Sequence, residues 1–145
     1  MAALDFTHAP YGDLAIVAMK GCEEIAKQVD YYLMQWRGTP SENSFVINAN
    51  CPRFGTGEAK GVFKHSARGL DAYIICDCFN HGVTYKMYGK EVPMSPDDHY
   101  ADLKRVIASF GGKARRVNVI MPMLYEGRQH RRTSRESMDC ALMLQ

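Results

Sequence analysis

The side chains best suited to chemistry lie in residues 117–145, VNVIMPMLYEGRQHRRTSRESMDCALMLQ. Arg128, Arg131, Arg132 and Arg135 fall within eight residues there, with Gln129 and His130 between them. A guanidinium is a planar fork that grips phosphate oxygens through paired hydrogen bonds. The stretch reads as a buried strand over 117–124, a polar cationic loop over 125–133, and a helix opened by Ser134. Open α/β sheets place their ligands at the carboxyl ends of parallel strands. A helix N-terminus adds unpaired N–H groups and a field that favours anions. The expectation is a loop that holds a polyphosphate.

Two other turns carry chemistry of the same kind. Phe54-Gly55-Thr56-Gly57-Glu58 is glycine-rich, so its backbone N–H groups can approach a ligand closely. Glu58 suits an amino or hydroxyl group, and Phe54 suits a flat ring. In Ser66-Ala67-Arg68-Gly69, Ser66 and Arg68 offer a smaller phosphate grip. Neither GxxxxGK[ST] nor GxGxxG occurs, so the common phosphate-loop signatures are missing. The histidines at 8, 65, 81, 99 and 130 have no ligand-like spacing, and no protein-made metal site is expected. No nucleophile–base set stands out.

The elements that must position these groups alternate. Leu14–Met19 is a short apolar run fit for a buried strand. A helix is predicted from Gly21 to about Arg37, with Cys22, Ile25, Val29, Leu33 and Trp36 on its apolar face and a stop at Gly38-Thr39-Pro40-Ser41. Strands are predicted over 44–50, 59–64 and 70–78, the first two as a possible antiparallel edge pair. Residues 79–94 show no period and read as a long surface loop. Ser95-Pro96-Asp97-Asp98 opens a helix with Tyr100, Leu103, Ile107 and Phe110 as its stripe, ended by Gly111-Gly112. Residues 1–13 read as an irregular arm. The last helix is expected to show Met138, Ala141 and Leu142 on one face. The order predicts a three-layer α/β fold, a mostly parallel sheet with helices on both faces.

At 145 residues the chain fits one domain with one core. Five cysteines without a CxxC pair argue against a disulfide framework and for a reducing compartment. Cys76 and Cys78 are expected to be packing residues. No apolar run approaches the roughly 20 residues of a membrane helix, and the amino terminus has no cationic n-region. Residues 111–135 carry a net +6 and the remainder −4, a local basic field suited to a confined anion. Nucleic acid is not expected, because only Tyr125 interleaves the basic stretch.

In order and spacing, four pieces resemble the amino-terminal half of the ribose-phosphate pyrophosphokinase (phosphoribosyl pyrophosphate synthetase) family. They are Phe54 to Glu58, Ser66-Ala-Arg68-Gly69-Leu-Asp71, Tyr125-Glu-Gly-Arg128-Gln129 and Ser134-Arg135-Glu136. The resemblance implies a phosphoribosyltransferase-like fold and transfer of diphosphate from Mg-ATP to ribose 5-phosphate. It implies ATP contacts from Phe54, Thr56, Gly57 and Glu58 of one subunit and from Arg128 and Gln129 of a neighbour, hence a homo-oligomer in the cytoplasm. It places Ser66, Arg68, Ser134 and Arg135 at a regulatory phosphate site. It assigns no catalytic residue and no metal ligand to residues 1–145. The Mg2+ ligands and the ribose-phosphate loop are expected downstream, in a longer protein of which this would be the single front domain. Thr56 stands where the family usually has Asn or Asp, and His130 where it usually has Asp. The connection 79–94 is longer than the family's. Two other readings follow: a catalytically silent regulatory or assembly subunit of the same family, and a small nucleic-acid-binding domain.

Overall fold

A computed structural model describes residues 11–38 and 44–145. Of the irregular arm predicted over residues 1–13, residues 1–10 lie outside the described residues, as do Thr39, Pro40 and Ser41 of the predicted stop, and Asp13 already belongs to the first strand. The centre is a parallel three-stranded sheet in the order β1-β4-β7, with β1 at Asp13–Ala18, β4 at Leu70–Ile75 and β7 at Arg116–Ile120. The register runs Asp13 to Leu70 through Ala18 to Ile75, and Asp71 to Arg116 through Ile75 to Ile120. Residues 44–47 lie along the outer edge of β1, where Ile16 N–H donates to Phe45 O and Ile47 N–H to Ile16 O, each at 2.8 Å.

A helix lies on each face, as the alternation requires. Helix α1 (Glu23–Arg37) packs Ala26, Val29 and Leu33, with Cys22 just before its start, against Ile16, Ala18 and Ile75. Helix α2 (Pro96–Ser109) packs Leu103 and Val106, with Phe110 just past its end, against Val17, Ala72, Ile74 and Cys76. Each fully buried Val or Ile contributes about 1.5–3 kcal/mol. The stripe predicted for α1 is therefore rotated. Ala26 is fully buried, while Ile25 is 47% and Trp36 58% exposed. Both faces of α1 carry apolar side chains, so periodicity alone could not choose between them.

Helix α2 begins as read. Ser95 Oγ accepts from Asp98 N–H at 3.1 Å, and Asp98 returns the bond to Ser95 N–H at 2.9 Å. Such a capping box contributes about 1 kcal/mol. Gly111 and Gly112, at φ 58° and 67°, end the helix in a left-handed turn open mainly to glycine. The strands expected over 44–50 and 59–64 shrink to the antiparallel pair β2 (Ala49–Asn50) and β3 (Val62–Phe63). Beside β3 the backbone of α2 is so close that a Cβ on Gly61 would sit 2.2 Å from Arg105 O.

Three further expectations need correction. Residues 79–94 are not a plain loop. They contain the hairpin β5 (Thr84–Met87) and β6 (Lys90–Pro93), turned by Tyr88 and Gly89 at φ 50° and 77°. Strand β7 stops at Ile120 and lies at a sheet edge, with Val119 41% and Ile120 46% exposed. Pro122 lacks the N–H that a continuing ladder needs. The last helix, α3 (Asp139–Leu144), is six residues long, and Ser134 does not cap it. Instead Thr133 N–H, Thr133 Oγ1 and Ser134 N–H all donate to Glu136 Oε1, at 2.8, 2.6 and 3.1 Å. That local turn competes with helix initiation. Of α3, Met143 packs on the core and Leu142 is 60% exposed.

At the amino ends of the strands, Arg116 donates to both Asp71 oxygens, at 2.7 and 2.5 Å, and Asn118 donates to Asp71 at 3.0 Å. The Arg116 bonds hold the Asp71 carboxyl below the usual carboxylate range, against the opposing effect of burial. A depressed folded-state pKa adds stability above the unfolded value, about 4, that is lost as pH falls through the folded one. Asp71→Asn should therefore lower the thermal midpoint at pH 7, with the gap to wild type closing below about pH 4. A gap that stays constant down to pH 2 would contradict this assignment. Separately, Gly61→Ala should cost about 1–3 kcal/mol by overpacking, measured as a lower urea midpoint.

Candidate functional site

The parallel strands set a carboxyl pole and an amino pole. Helix α2 runs antiparallel to them, so its first turns lie at the carboxyl pole. Two of the predicted loops are fastened there, one on each side of the helix.

The first is the turn at 54–58. Arg53 and Ala59 pair across its base. Phe54 N–H donates to Glu58 O at 2.7 Å, and Gly57 N–H to Phe54 O at 2.9 Å. Gly57 sits at φ 94°, so glycine is required there. Phe54, Thr56 and Glu58 all face solvent, with Phe54 53% exposed. Thr56 Oγ1 donates to Glu58 Oε2 at 2.9 Å, which leaves Oε1 without a protein donor among the described residues.

Arg53, immediately before the turn, anchors it. Its guanidinium donates to Asp102 Oδ2 at 2.7 Å and to Gly57 O at 3.0 Å, and lies 3.9 Å from Asp98. It also lies 4.4 Å from the centre of the Tyr85 ring. Asp102 in turn accepts from Arg105 at 2.7 Å. Burial pushes the Asp102 carboxyl up, opposed by Arg105 and Arg53. The neighbouring Cys51 thiol is pushed up to about 11, chiefly by burial, so it stays protonated at neutral pH. A cavity of about 570 Å³ lies beside the Arg53–Asp102 pair, lined by Arg53, Tyr85, Asp102, Lys20 and Lys64 among others.

The second loop follows β7. Tyr125 is buried, stacks on Tyr100 with ring centres 4.7 Å apart, and donates its hydroxyl to Asp97. Burial first, and then Asp97, raise the Tyr125 pKa, so the phenol keeps its proton. Beyond it the chain closes on itself through Gln129 N–H to Glu126 O at 3.0 Å and Cys140 N–H to Gln129 O at 3.2 Å. Arg128, Arg131, Arg132 and Arg135 are exposed, and none forms an ion pair among the described residues. Arg128 borders a second cavity of about 480 Å³ that also includes Asp97 and Glu126. The helix start expected to support anion binding here is displaced to Asp139, so the cationic side chains and loop backbone must serve without it.

Within the chain no hydrogen bond or ion pair joins the 54–58 turn to the 128–135 loop among the described residues. Ser66 and Arg68 lie at the other pole, immediately before β4, with Gly69 N–H donating to Lys113 O at 3.2 Å. Ser134 and Arg135 belong to the loop at the carboxyl pole. The four residues expected at a regulatory phosphate site are thus not gathered within one chain. Among the described residues no three His, Cys, Asp or Glu side chains are grouped as a metal ion requires, and no helix is long and apolar enough to cross a membrane.

Sequence reasoning missed Arg53, Tyr85, Asp102 and the Tyr125–Asp97 bond. Two signals were available. Asp98 and Asp102 are four apart on a helix, hence on one side of it. The segment TYKM-YG-KEVP has two strand-length arms around a two-residue turn.

The architecture is that of a three-layer α/β domain with its loops collected at the carboxyl pole of a parallel sheet. The family model for the N-terminal domain of ribose phosphate pyrophosphokinase matches residues 14–145, and the chain belongs to that family. A solved structure of phosphoribosylpyrophosphate synthetase from Mycobacterium smegmatis superposes with a TM-score of 0.64 at 22% identity. The match covers 90% of this chain and 37% of that one, so this chain spans little more than a third of its neighbour. At that identity the likeness is one of fold. No curated protein sequence matches the chain closely enough to count as a relative.

Removing one partner of a buried ion pair leaves the other charge uncompensated. Asp102→Ala should therefore destabilise the chain by about 3–5 kcal/mol, read from urea unfolding. A loss below about 0.5 kcal/mol would mean that Asp102 does not hold Arg53.

Proposed function

We propose that the chain is the ATP-binding half of a ribose-phosphate diphosphokinase, which moves diphosphate from Mg-ATP to the 1-hydroxyl of ribose 5-phosphate in nucleotide biosynthesis. One observation carries this reading. Two loops are fastened by buried anchors to the same end of α2, yet their ligand-suited side chains point into solvent. Rigid anchoring beneath exposed polar and aromatic groups is the arrangement a preorganised binding site needs.

Phe54 stacks on the adenine ring, and the free Glu58 oxygen accepts from its amino group. Arg128 neutralises phosphate charge and fixes its orientation, and Gln129 adds a hydrogen bond. Transfer of this kind depends mainly on positioning and charge neutralisation. Because no hydrogen bond or ion pair joins the turn to the loop within one chain among the described residues, the site takes its turn from one copy and its loop from another, in a homo-oligomer. A Ser66–Arg68 pair and a Ser134–Arg135 pair likewise meet only across copies. Mg2+ arrives with the ATP phosphates, and no step of the transfer is assigned to this chain's residues. The setting is cytoplasmic.

Calorimetric titration of ATP into wild type and Arg128→Ala tests the reading. A hydrogen bond to a charged group contributes about 1.5–3 kcal/mol, so affinity should fall roughly 10- to 100-fold. Equal affinity in the two proteins would remove Arg128 from the site. Salt-sensitive binding to random oligonucleotides, with no ATP binding, would replace this function with nucleic-acid binding.

A further inference from the structure

The hairpin β5–β6 plays no part in the function above, yet it touches the 54–58 turn at three places. Tyr88 N–H donates to Gly55 O at 2.8 Å. The Tyr85 ring lies under the Arg53 guanidinium that donates to Gly57 O. A Cβ built on Gly57 would lie 3.0 Å from Met87 Sδ and 3.5 Å from the Tyr85 ring, so the hairpin packs directly on that glycine.

The hairpin is itself fixed at its root. Lys20 Nζ donates to Thr84 O at 2.6 Å, and Met94 N–H to Val83 O at 2.8 Å. The His99 ring bonds Asn80 O at 3.0 Å, and a Cβ on Gly21 would strike Asn80 and Val83 at 2.7 Å. The root thus rests on the ends of β1 and α2, which belong to the core layers. At the tip, Tyr88 occupies the left-handed region at φ 50°, where a residue with a side chain is disfavoured. That conformation aims its N–H at the carbonyl of Gly55.

We infer that the hairpin is a clamp that holds the 54–58 turn in its ligand-ready shape, with Tyr85, Met87 and Tyr88 as positioning residues acting through Arg53, Gly55 and Gly57. The inference rests on the proposed role of the turn in binding ATP. The turn alone is short, glycine-rich and closed by two backbone bonds, so it can relax among several shapes. Each shape that does not fit the ligand lowers apparent affinity by its share of the population. The clamp removes those shapes by adding one backbone bond and one cation–ring contact from an element outside the site.

Backbone hydrogen exchange of the whole chain, beside ATP titration, tests this in Tyr85→Ala, Tyr85→Phe and wild type. Tyr85→Ala should speed exchange at the Phe54 and Gly57 amides by about tenfold and weaken ATP binding by a comparable factor, while core β4 amides keep their protection. Tyr85→Phe retains the ring and should restore both. Unchanged exchange at Phe54 and Gly57 in Tyr85→Ala overturns the clamp. Faster exchange with undiminished ATP affinity overturns its role in binding. If wild type binds no ATP, the proposed function falls, and the clamp then stands or falls on the exchange result alone.

Discussion

A buried carboxylate fixes much of this molecule. Asp102 is 5% exposed, and an ion so placed is tolerated only with partners. It has two, Arg53 from the turn segment and Arg105 from its own helix. Arg53 must therefore come to α2, and Phe54 to Glu58 must follow it. The requirement reaches further, because a guanidinium with both faces free would be only partly desolvated. The Tyr85 ring covers one face, which commits the hairpin to the same place. One charge in the second turn of a helix thus sets the positions of two segments about fifty and twenty residues away in sequence.

The other side of the same helix end does the same for the cationic loop with different chemistry. Asp97 lies near the rim and takes a phenol hydroxyl in place of a guanidinium. Tyr125 stacks on Tyr100, whose own hydroxyl donates to Met143 O at 2.7 Å, so α3 is tied in as well. The acids that Ser95 and Pro96 introduce begin as favourable charges at a helix N-terminus. They also serve as fixed points for loops that sequence keeps apart.

The layered fold was legible in the sequence because β1, β4 and α2 state their patterns strongly. LAIVAM and LDAYII are short apolar runs, and Ser-Pro-Asp-Asp is a complete helix opening. The rotation of α1 was not legible, since Ile25, Tyr32 and Trp36 compete with Cys22, Ala26 and Val29 for the sheet. Burial favours the face that closes against flat neighbours, and small Ala26 fits there. The end of β7 and the late start of α3 were misread for local reasons. Pro122 interrupts the ladder, and Glu136 gathers three donors into a turn. The exposed residues of the candidate site were readable as types at fixed spacing. Their supports were not, because Arg53, Asp102 and Tyr85 acquire meaning only when distant segments meet.

Strand β7 is bonded to β4 on one side and to no strand on the other among the described residues. Its outer row of amides and carbonyls lies beside exposed Val119 and Ile120. An open strand edge beside exposed apolar side chains is a template on which another extended chain can pair. Charged residues placed along that border would disfavour such edge-to-edge pairing without touching either pole of the sheet.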